Sequence, residues 1–249
     1  MNQKDRIVRI LDMLKTRQKI SQDKLIELFS ISRDTARRDI LKLVESGLAE
    51  RYPGGVSQPI FKHEIENYSN RLIKQAKEKR KIAEIALSLI NSQMVIYLDV
   101  STTVNFLALD LKQNDLTIVT NSIDNALGIV PEIKPRVYLL GGSLNLETRV
   151  LYGELLLQQI RPFNFDYSFI GAGGITKEGI FYSELTDVYL KKEIINNSQK
   201  VCLLVDSTKV NKRSAYKIDF SGIDLIITDK PFPKELMEKL KSKNIKVLM

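Results

Sequence analysis

The stretch ISQDKLIELFSISRDTARRDILKLVESGLAERYPGGV, residues 20–56, decides the fold of the N-terminal part of the chain. Ser21 stands where a side-chain oxygen caps a helix carrying Leu25, Leu28 and Phe29. After Ser30 and Ile31, Ser32 is placed to cap a further helix from Arg33 to about Ser46, with Ala36, Ile40, Leu43 and Val44 as its buried stripe. Gly47 sits where a left-handed residue would end that helix. LAERY and Val56 then flank Pro53-Gly54-Gly55, a turn between two short extended segments. Upstream, Ile7, Ile10, Leu11 and Leu14 follow the spacing of one helical face. Three helices and a hairpin make a winged helix-turn-helix, placed at residues 1–57.

The chain has 249 residues, 43% of them hydrophobic and 27% charged, which fits one or two globular domains and excludes disorder or collagen-like repeats for the whole. No stretch reaches the roughly 18 apolar residues of a membrane span. The opening MNQKDRIVRILDMLK mixes acids and bases and is no secretory signal. One cysteine, Cys202, excludes an intrachain disulfide framework and fits a reducing cytoplasm. With one histidine, His63, the residues offer no zinc-type ligand set, so neither metal nor cofactor is expected. His63 reads as a surface residue of a basic linker, and Cys202, inside KVCLLV, as a buried strand residue.

The net charge of +8 is unevenly spread. Residues 1–81 hold 19 Lys/Arg against 11 Asp/Glu, whereas residues 82–249 hold 19 of each. The excess fits either a module for a polyanion or a solubilising surface.

Residues 58–78 read as a polar, basic linker, and 79–249 as a second domain. There, the apolar runs MVIYL, LTIV, RVYLL, FDYSFI, KVCLLV, LIIT and IKVL alternate with helical stretches near 102–111, 122–130, 151–160, 185–198 and 233–242. That alternation predicts an α/β domain with a mainly parallel sheet. Ligands of such sheets bind at the carboxyl ends of strands, which directs attention to the loops 99–103, 120–122, 141–143, 171–174 and 206–209.

The helix beginning Ser32-Arg33-Asp34-Thr35-Ala36-Arg37-Arg38-Asp39 places three arginines on or beside its polar face. Guanidinium forks match guanine edges in the major groove, and hydroxyls or backbone N–H groups match phosphates. A solvated face is the alternative, with Asp34–Arg38 and Asp39–Lys42 as surface pairs worth a few tenths of a kcal/mol each. Those pairs leave Arg33 and Arg37 without a role. Candidate DNA contacts are Ser21, Ser32, Arg33, Asp34, Thr35, Arg37 and Arg38, joined on the hairpin by Arg51, Tyr52, Gly54 and Gly55. Arg51 and Tyr52 fit a phosphate or minor-groove contact as well as they fit a plain exposed edge.

Residues 20–56 resemble the N-terminal domain of the DeoR-type bacterial repressors of sugar operons, in which an Arg-Arg-Asp triplet precedes a Gly-Gly wing. The landmarks DVSTT (99–103), TNS (120–122), GG (141–142), GAGG (171–174) and DSTK (206–209) are similar to that family's sensor domain and occur in order. The resemblance implies a repressor whose sensor has a fold related to ribose-5-phosphate isomerase and binds a phosphorylated metabolite. This chain departs from the pattern at Ala36, where Ile or Val is usual, at Pro53, where His is common, and at Ser101, where glycine is usual. A side chain at 101 restricts positive φ.

Asp99-Val100-Ser101-Thr102-Thr103 follows a strand and opens a helix, so unpaired N–H groups, the helix dipole and three hydroxyls suit a phosphate. Ordinary capping by Ser101 or Thr102 is the alternative, against which the resemblance adds weight to a ligand. Asp99 would repel an anion and is assigned to sugar hydroxyls or to holding the loop's N–H groups. Asn121 and Ser122 are further polar contacts, Lys209 is the cation, and Arg149 is a second cation candidate. Gly141, Gly142, Gly171 and Gly173 would let backbone approach a ligand, or simply shape their loops. Glu184 would meet a hydroxyl or begin a helix.

These readings lead to a repressor that binds operator DNA as a dimer or larger oligomer and responds to a phosphorylated sugar. An alternative is a sugar-phosphate isomerase with a DNA-binding appendage, using Asp99, Glu184 or Asp206 as acid or base. A third is a nucleic-acid chaperone without a ligand.

Overall fold

A computed structural model describes residues 3–17, 19–45, 49–57, 75–146 and 148–249. Gly47, His63 and residues 58–74 of the expected linker lie outside the described residues. The chain divides into two compact units, Met1–Glu64 and Ile65–Met249.

In the N-terminal unit, α1 (Gln3–Arg17), α2 (Gln22–Phe29) and α3 (Arg33–Glu45) enclose a core of Ile10, Leu14, Leu25, Ala36, Ile40 and Leu43, closed by Ile20 and Val56. Leu28, expected in the α2 stripe, is 45% exposed; the helix packs on the core through buried Leu25, with Ile26 and Phe29 partly buried beside it. The hairpin is β2 (Glu50–Tyr52) and β3 (Gly55–Ser57), and β3 also pairs with β1 (Lys19–Ser21). A strand of three residues is too short to show a period in sequence. At the turn Gly54 adopts φ +99°, and a Cβ on Gly55 would lie 2.2 Å from the Ile20 carbonyl, so both glycines are required by backbone geometry. Ala36 is fully buried.

The C-terminal unit opens with α4 (Ala76–Leu87). All seven expected strands form: β4 (Val95–Leu98), β5 (Thr117–Thr120), β6 (Arg136–Leu139), β9 (Tyr167–Gly171), β12 (Val201–Leu204), β14 (Leu225–Ile227) and β15 (Lys246–Leu248). They make one sheet in the order β15-β14-β12-β9-β4-β5-β6, parallel throughout. Alternation along each strand divides the core into two layers. Ile96, Leu98, Ile118 and Cys202 face α4 and α5 (Thr102–Leu109), while Tyr97, Val119, Val201 and Leu203 face α7 (Glu154–Ile160), α8 (Leu185–Asn196) and α9 (Lys234–Ser242). Burial holds the Cys202 thiol well above its ordinary pKa, in keeping with a structural role. The short helix α6 (Ile123–Gly128) follows β5.

Two features differ from the expected pattern. Residues 151 and 152 do not begin a helix; they lie in β8 (Val150–Tyr152), which forms a hairpin with β7 (Ser143–Asn145), and α7 starts at Glu154. Gly174, expected in a ligand loop, opens β10 (Gly174–Thr176), part of a small antiparallel sheet with β11 (Gly179–Tyr182) and β13 (Tyr216–Ile218). A Cβ on Gly174 would lie 2.3 Å from the Lys212 carbonyl, so backbone rather than ligand makes the close approach.

The chain lays down β4, β5 and β6 outward, then returns to the other side of β4 for β9. The carboxyl ends of β4 and β9 therefore flank the point where strand order reverses, the usual ligand position in such sheets.

Candidate nucleic-acid interface and effector site

The start of α3 is built by local capping. Ser32 Oγ accepts from Thr35 N–H at 3.2 Å, and Gln22 Nε2 donates to the Arg33 carbonyl at 3.0 Å, tying α2 to α3. Ser21 Oγ caps α2 by accepting from Lys24 N–H. Arg33, Asp34, Arg37 and Arg38 are exposed, opposite the buried Ala36, Ile40 and Leu43. The surface pairs suggested by spacing take other forms. Arg38 Nε reaches the Asp34 backbone carbonyl at 3.4 Å, and Asp39 turns inward, fully buried, to Arg6 Nε at 2.7 Å and Gln3 Nε2 at 2.9 Å. Asp39 thus pins α1 to α3 and leaves the arginines outside.

Gln22, Arg37, Arg51, Tyr52, Gly54 and Gly55 line one cleft between α3 and the wing. Five of these were candidate DNA contacts, drawn together from both sides of the turn. Arg51 is exposed, whereas Tyr52 is half-buried, with Lys19 Nζ 5.6 Å from its ring centre.

In the C-terminal unit the ends of β5, β4, β9 and β12 are consecutive in the sheet, so turns 120–122, 99–103, 171–174 and 206–209 follow one another along one edge. At its centre Asp99 is 1% exposed. Its Oδ2 accepts from Gly171 N–H at 2.8 Å, and its Oδ1 lies 2.5 Å from Lys191 Nζ. Lys191 is also buried, 5.5 Å from the Tyr182 ring centre, and Tyr182 OH donates to the Gly171 carbonyl at 3.1 Å. The backbone N–H that Asp99 holds belongs to the neighbouring turn 171–174, whereas the sequence reading offers sugar hydroxyls or the N–H groups of its own loop. Burial, aided by Asp99 and Asp187, pushes the Tyr97 and Tyr182 phenols well above their ordinary pKa, so both remain neutral donors.

Ser101 has φ −146°, extended backbone that any residue adopts, so replacing the usual glycine brings no strain there. Its Oγ accepts from Thr103 N–H at 3.3 Å and caps α5. The side chain occupies space left by Gly171, where a Cβ would lie 2.5 Å from Ser101 Cβ. Thr102 and Thr103 are buried in the first turn of α5.

The β7–β8 hairpin sits over the end of β5. Asn121 accepts from Tyr97 OH at 2.7 Å and donates to the Leu151 carbonyl at 3.0 Å, and Ser122 Oγ caps α6 through Asn125 N–H. Arg149, with φ +56°, extends to Asp124 Oδ1 at 2.8 Å. Gly141 N–H donates to Gln159 Oε1 at 2.7 Å, and a Cβ on Gly142 would meet the Tyr152 carbonyl at 2.3 Å. Gly173 is exposed, with its N–H on the Phe181 carbonyl at 2.9 Å. Glu184 is exposed at the start of α8 without a side-chain cap. Lys209 is half-buried in a 3-10 turn that Asp206 caps through Thr208 N–H.

Sequence reasoning missed Lys191, Tyr182 and Asn125. Asn125 is fully buried and donates to the Asp99 carbonyl at 2.9 Å. Lys191 carried a signal: a lysine three residues after Val188 and three before Ile194 lies on the buried stripe of its helix.

The comparisons with known proteins agree on both units. A family model described as the DeoR-like helix-turn-helix domain matches residues 6–59, and one described as the DeoR C terminal sensor domain matches residues 74–230. The HTH-type transcriptional repressor GlcR of Bacillus subtilis (strain 168) is 38% identical over 92% of this chain and 90% of its own length. The glycerol-3-phosphate regulon repressor of Escherichia coli (strain K12) is 30% identical over 99% of each chain. Among solved structures, a D-ribose-5-phosphate isomerase in complex with phospho-erythronic acid aligns over 54% of each chain at 19% identity and a TM-score of 0.40. Among the described residues no helix is long and apolar enough to cross a membrane. With both domain models matched in order and relatives aligned over nearly the whole length, this chain belongs to the DeoR family of helix-turn-helix transcriptional regulators.

Proposed function

We propose that this chain is a transcriptional repressor of a carbohydrate-metabolism operon, acting in the cytoplasm and released from its operator by a phosphorylated sugar or sugar derivative. The observation that carries the reading is the face of α3: Arg33, Arg37 and Arg38 stand exposed, Arg37 sharing a cleft with the wing's Arg51, while the one acid of the triplet, Asp39, is turned inward. A helix presenting guanidinium groups from its first turns has the chemistry of a major-groove reader. The two relatives described above are both named as repressors.

The effector part rests on the edge of the sheet. Hydroxyls and N–H groups of turn 99–103 lie at the reversal point, and Lys209 ends the turn after β12, the strand on the far side of β9. Lys191 cancels the charge of Asp99, which removes the main objection to an anion beside that turn. The ligand shifts DNA affinity only by preferring one arrangement of the protein, typically by about 1–3 kcal/mol.

The isomerase reading finds less support. Asp99 is committed to Lys191 and Gly171, Asp206 accepts from the Thr208 N–H and hydroxyl, and Glu184 is exposed.

The test is a thermal-shift screen of the full chain against pentose and hexose phosphates, followed by operator binding with and without the stabilising compound. A compound that binds unchanged and weakens operator binding supports the proposal. Turnover of that compound, or operator binding indifferent to every compound, overturns it.

A further inference from the structure

The sheet of the C-terminal unit ends at β6, and that edge is open in a defined way. Arg136 N–H donates to the Leu116 carbonyl and Leu140 N–H to the Thr120 carbonyl, both at 2.8 Å, so the even-numbered residues of this segment direct their backbone groups to β5. By alternation Val137 and Leu139 direct theirs away from the sheet. The next outward donors on either side are absent or taken: Pro135 has no N–H, and Gly141 N–H is bonded to Gln159. Among the described residues β6 has a strand partner on one side only, and all four of its residues are exposed. An unpaired edge of this kind is a template for another strand.

The surroundings suit a copy of the same chain. Nine of the fifteen large apolar side chains that stand exposed among the described residues fall between 127 and 155, including Leu127 and Leu146 at 80% and Leu155 at 61%. Exposed apolar side chains gathered in one stretch of chain are of the kind that an interface between copies covers. The segment's charges are Glu132, Glu147 and Glu154 against Lys134, Arg136 and Arg149, so two copies do not repel.

We infer that β6 is the contact between two copies of this chain, pairing antiparallel across a two-fold axis at Tyr138. Only this register places Val137 opposite the partner copy's Leu139 as a hydrogen-bonded pair twice over, which uses every outward donor in the window. Tyr138 then faces its own counterpart in a non-hydrogen-bonded pair, with Cα atoms about 4.5 Å apart. The two sheets become one continuous sheet with a self-complementary interface. This gives the oligomer expected from the sequence a specific contact, and its measurement needs neither operator nor effector, so it can fail separately from the proposed function.

The experiment measures the mass of the full chain in solution by light scattering, with Val137→Pro and Tyr138→Cys. The wild type is expected at twice the chain mass or an even multiple. Val137→Pro removes only an outward N–H, which an edge strand tolerates, and is expected to keep the wild-type circular dichroism while weakening association at least tenfold. Tyr138→Cys is expected to give a covalent dimer on mild oxidation, since the expected Cα separation lies within disulfide range and Cys202 is buried. Leu127→Cys, away from the axis, is expected to stay uncrosslinked. A monomeric wild type overturns the inference, as does a Val137→Pro protein that associates like wild type. If Val137→Pro fails to fold, the cysteine pair decides: crosslinking at Leu127 but not at Tyr138 overturns it.

Discussion

Lys191 Nζ lies 2.5 Å from Asp99 Oδ1, joining residues 92 apart in sequence, and both side chains are at least 95% buried. The pair holds the first turn of the effector edge to α8, and Asp99 passes the restraint to Gly171. Removing one member of a buried pair typically costs about 3–5 kcal/mol, because the other charge is left uncompensated, whereas neutralising both costs far less. Lys191→Met is therefore expected to lower stability strongly, and Asp99→Asn with Lys191→Met to recover much of the loss. Urea denaturation of both single variants and the double variant checks this; additive losses would contradict it.

Ser101 and Gly171 form a second coupled pair. Gly171→Ala places a Cβ 2.5 Å from Ser101 Cβ, an overlap expected to cost about 1–3 kcal/mol. Ser101→Gly frees that space, so the double substitution is expected to be more stable than Gly171→Ala alone, at the expense of the α5 cap. Thermal unfolding of the three variants reads the coupling.

On α3 the roles divide by burial. Arg33→Ala and Arg37→Ala are expected to weaken operator binding about 5- to 150-fold and to relax base preference, with stability unchanged. Asp39→Ala is expected to destabilise the N-terminal unit, since it removes the buried carboxylate that accepts from Arg6 and Gln3 and joins α1 to α3. Fluorescence anisotropy on cognate and scrambled duplexes, beside a melting curve, separates the two classes. Equal loss on both duplexes would make an arginine a phosphate contact.

Alkaline pH should act through Tyr97 and Tyr182. Their folded-state pKa values are raised well above 10 by burial, with Asp99 and Asp187 adding to the effect. The unfolded chain therefore releases these protons first. Stability is fully present below about pH 10 and is lost as pH rises beyond it towards the folded-state values. Phenolate absorbance should show two tyrosines that titrate only on unfolding; their titration in the native state would refute the assignment.

Much of the fold was legible because its signals are local. Ser21 and Ser32 cap helices through backbone groups three residues away, and the apolar runs of all seven sheet strands stand out against amphipathic neighbours. The hairpin β7–β8 was not legible: Ser143–Asn145 and Val150–Tyr152 are short and mixed in polarity, and their pairing depends on Gly142 fitting against Tyr152. The expected effector residues were legible as polar turns, but not in their occupations. Asn121, read as a ligand contact, bonds Tyr97 and Leu151, and Arg149 reaches Asp124.

By itself the sequence determined two domains, a cationic reading helix and a parallel sheet with polar turns at one end, since periodicity, caps and charge distribution act over a few residues. Tertiary structure alone decided that Asp39 faces inward, that Lys191 neutralises Asp99, and that β6 stands at the end of the sheet with one strand partner among the described residues. Each depends on which distant segments meet. Burial then selects a partner for every charge it encloses, a choice made by long-range packing and absent from local spacing.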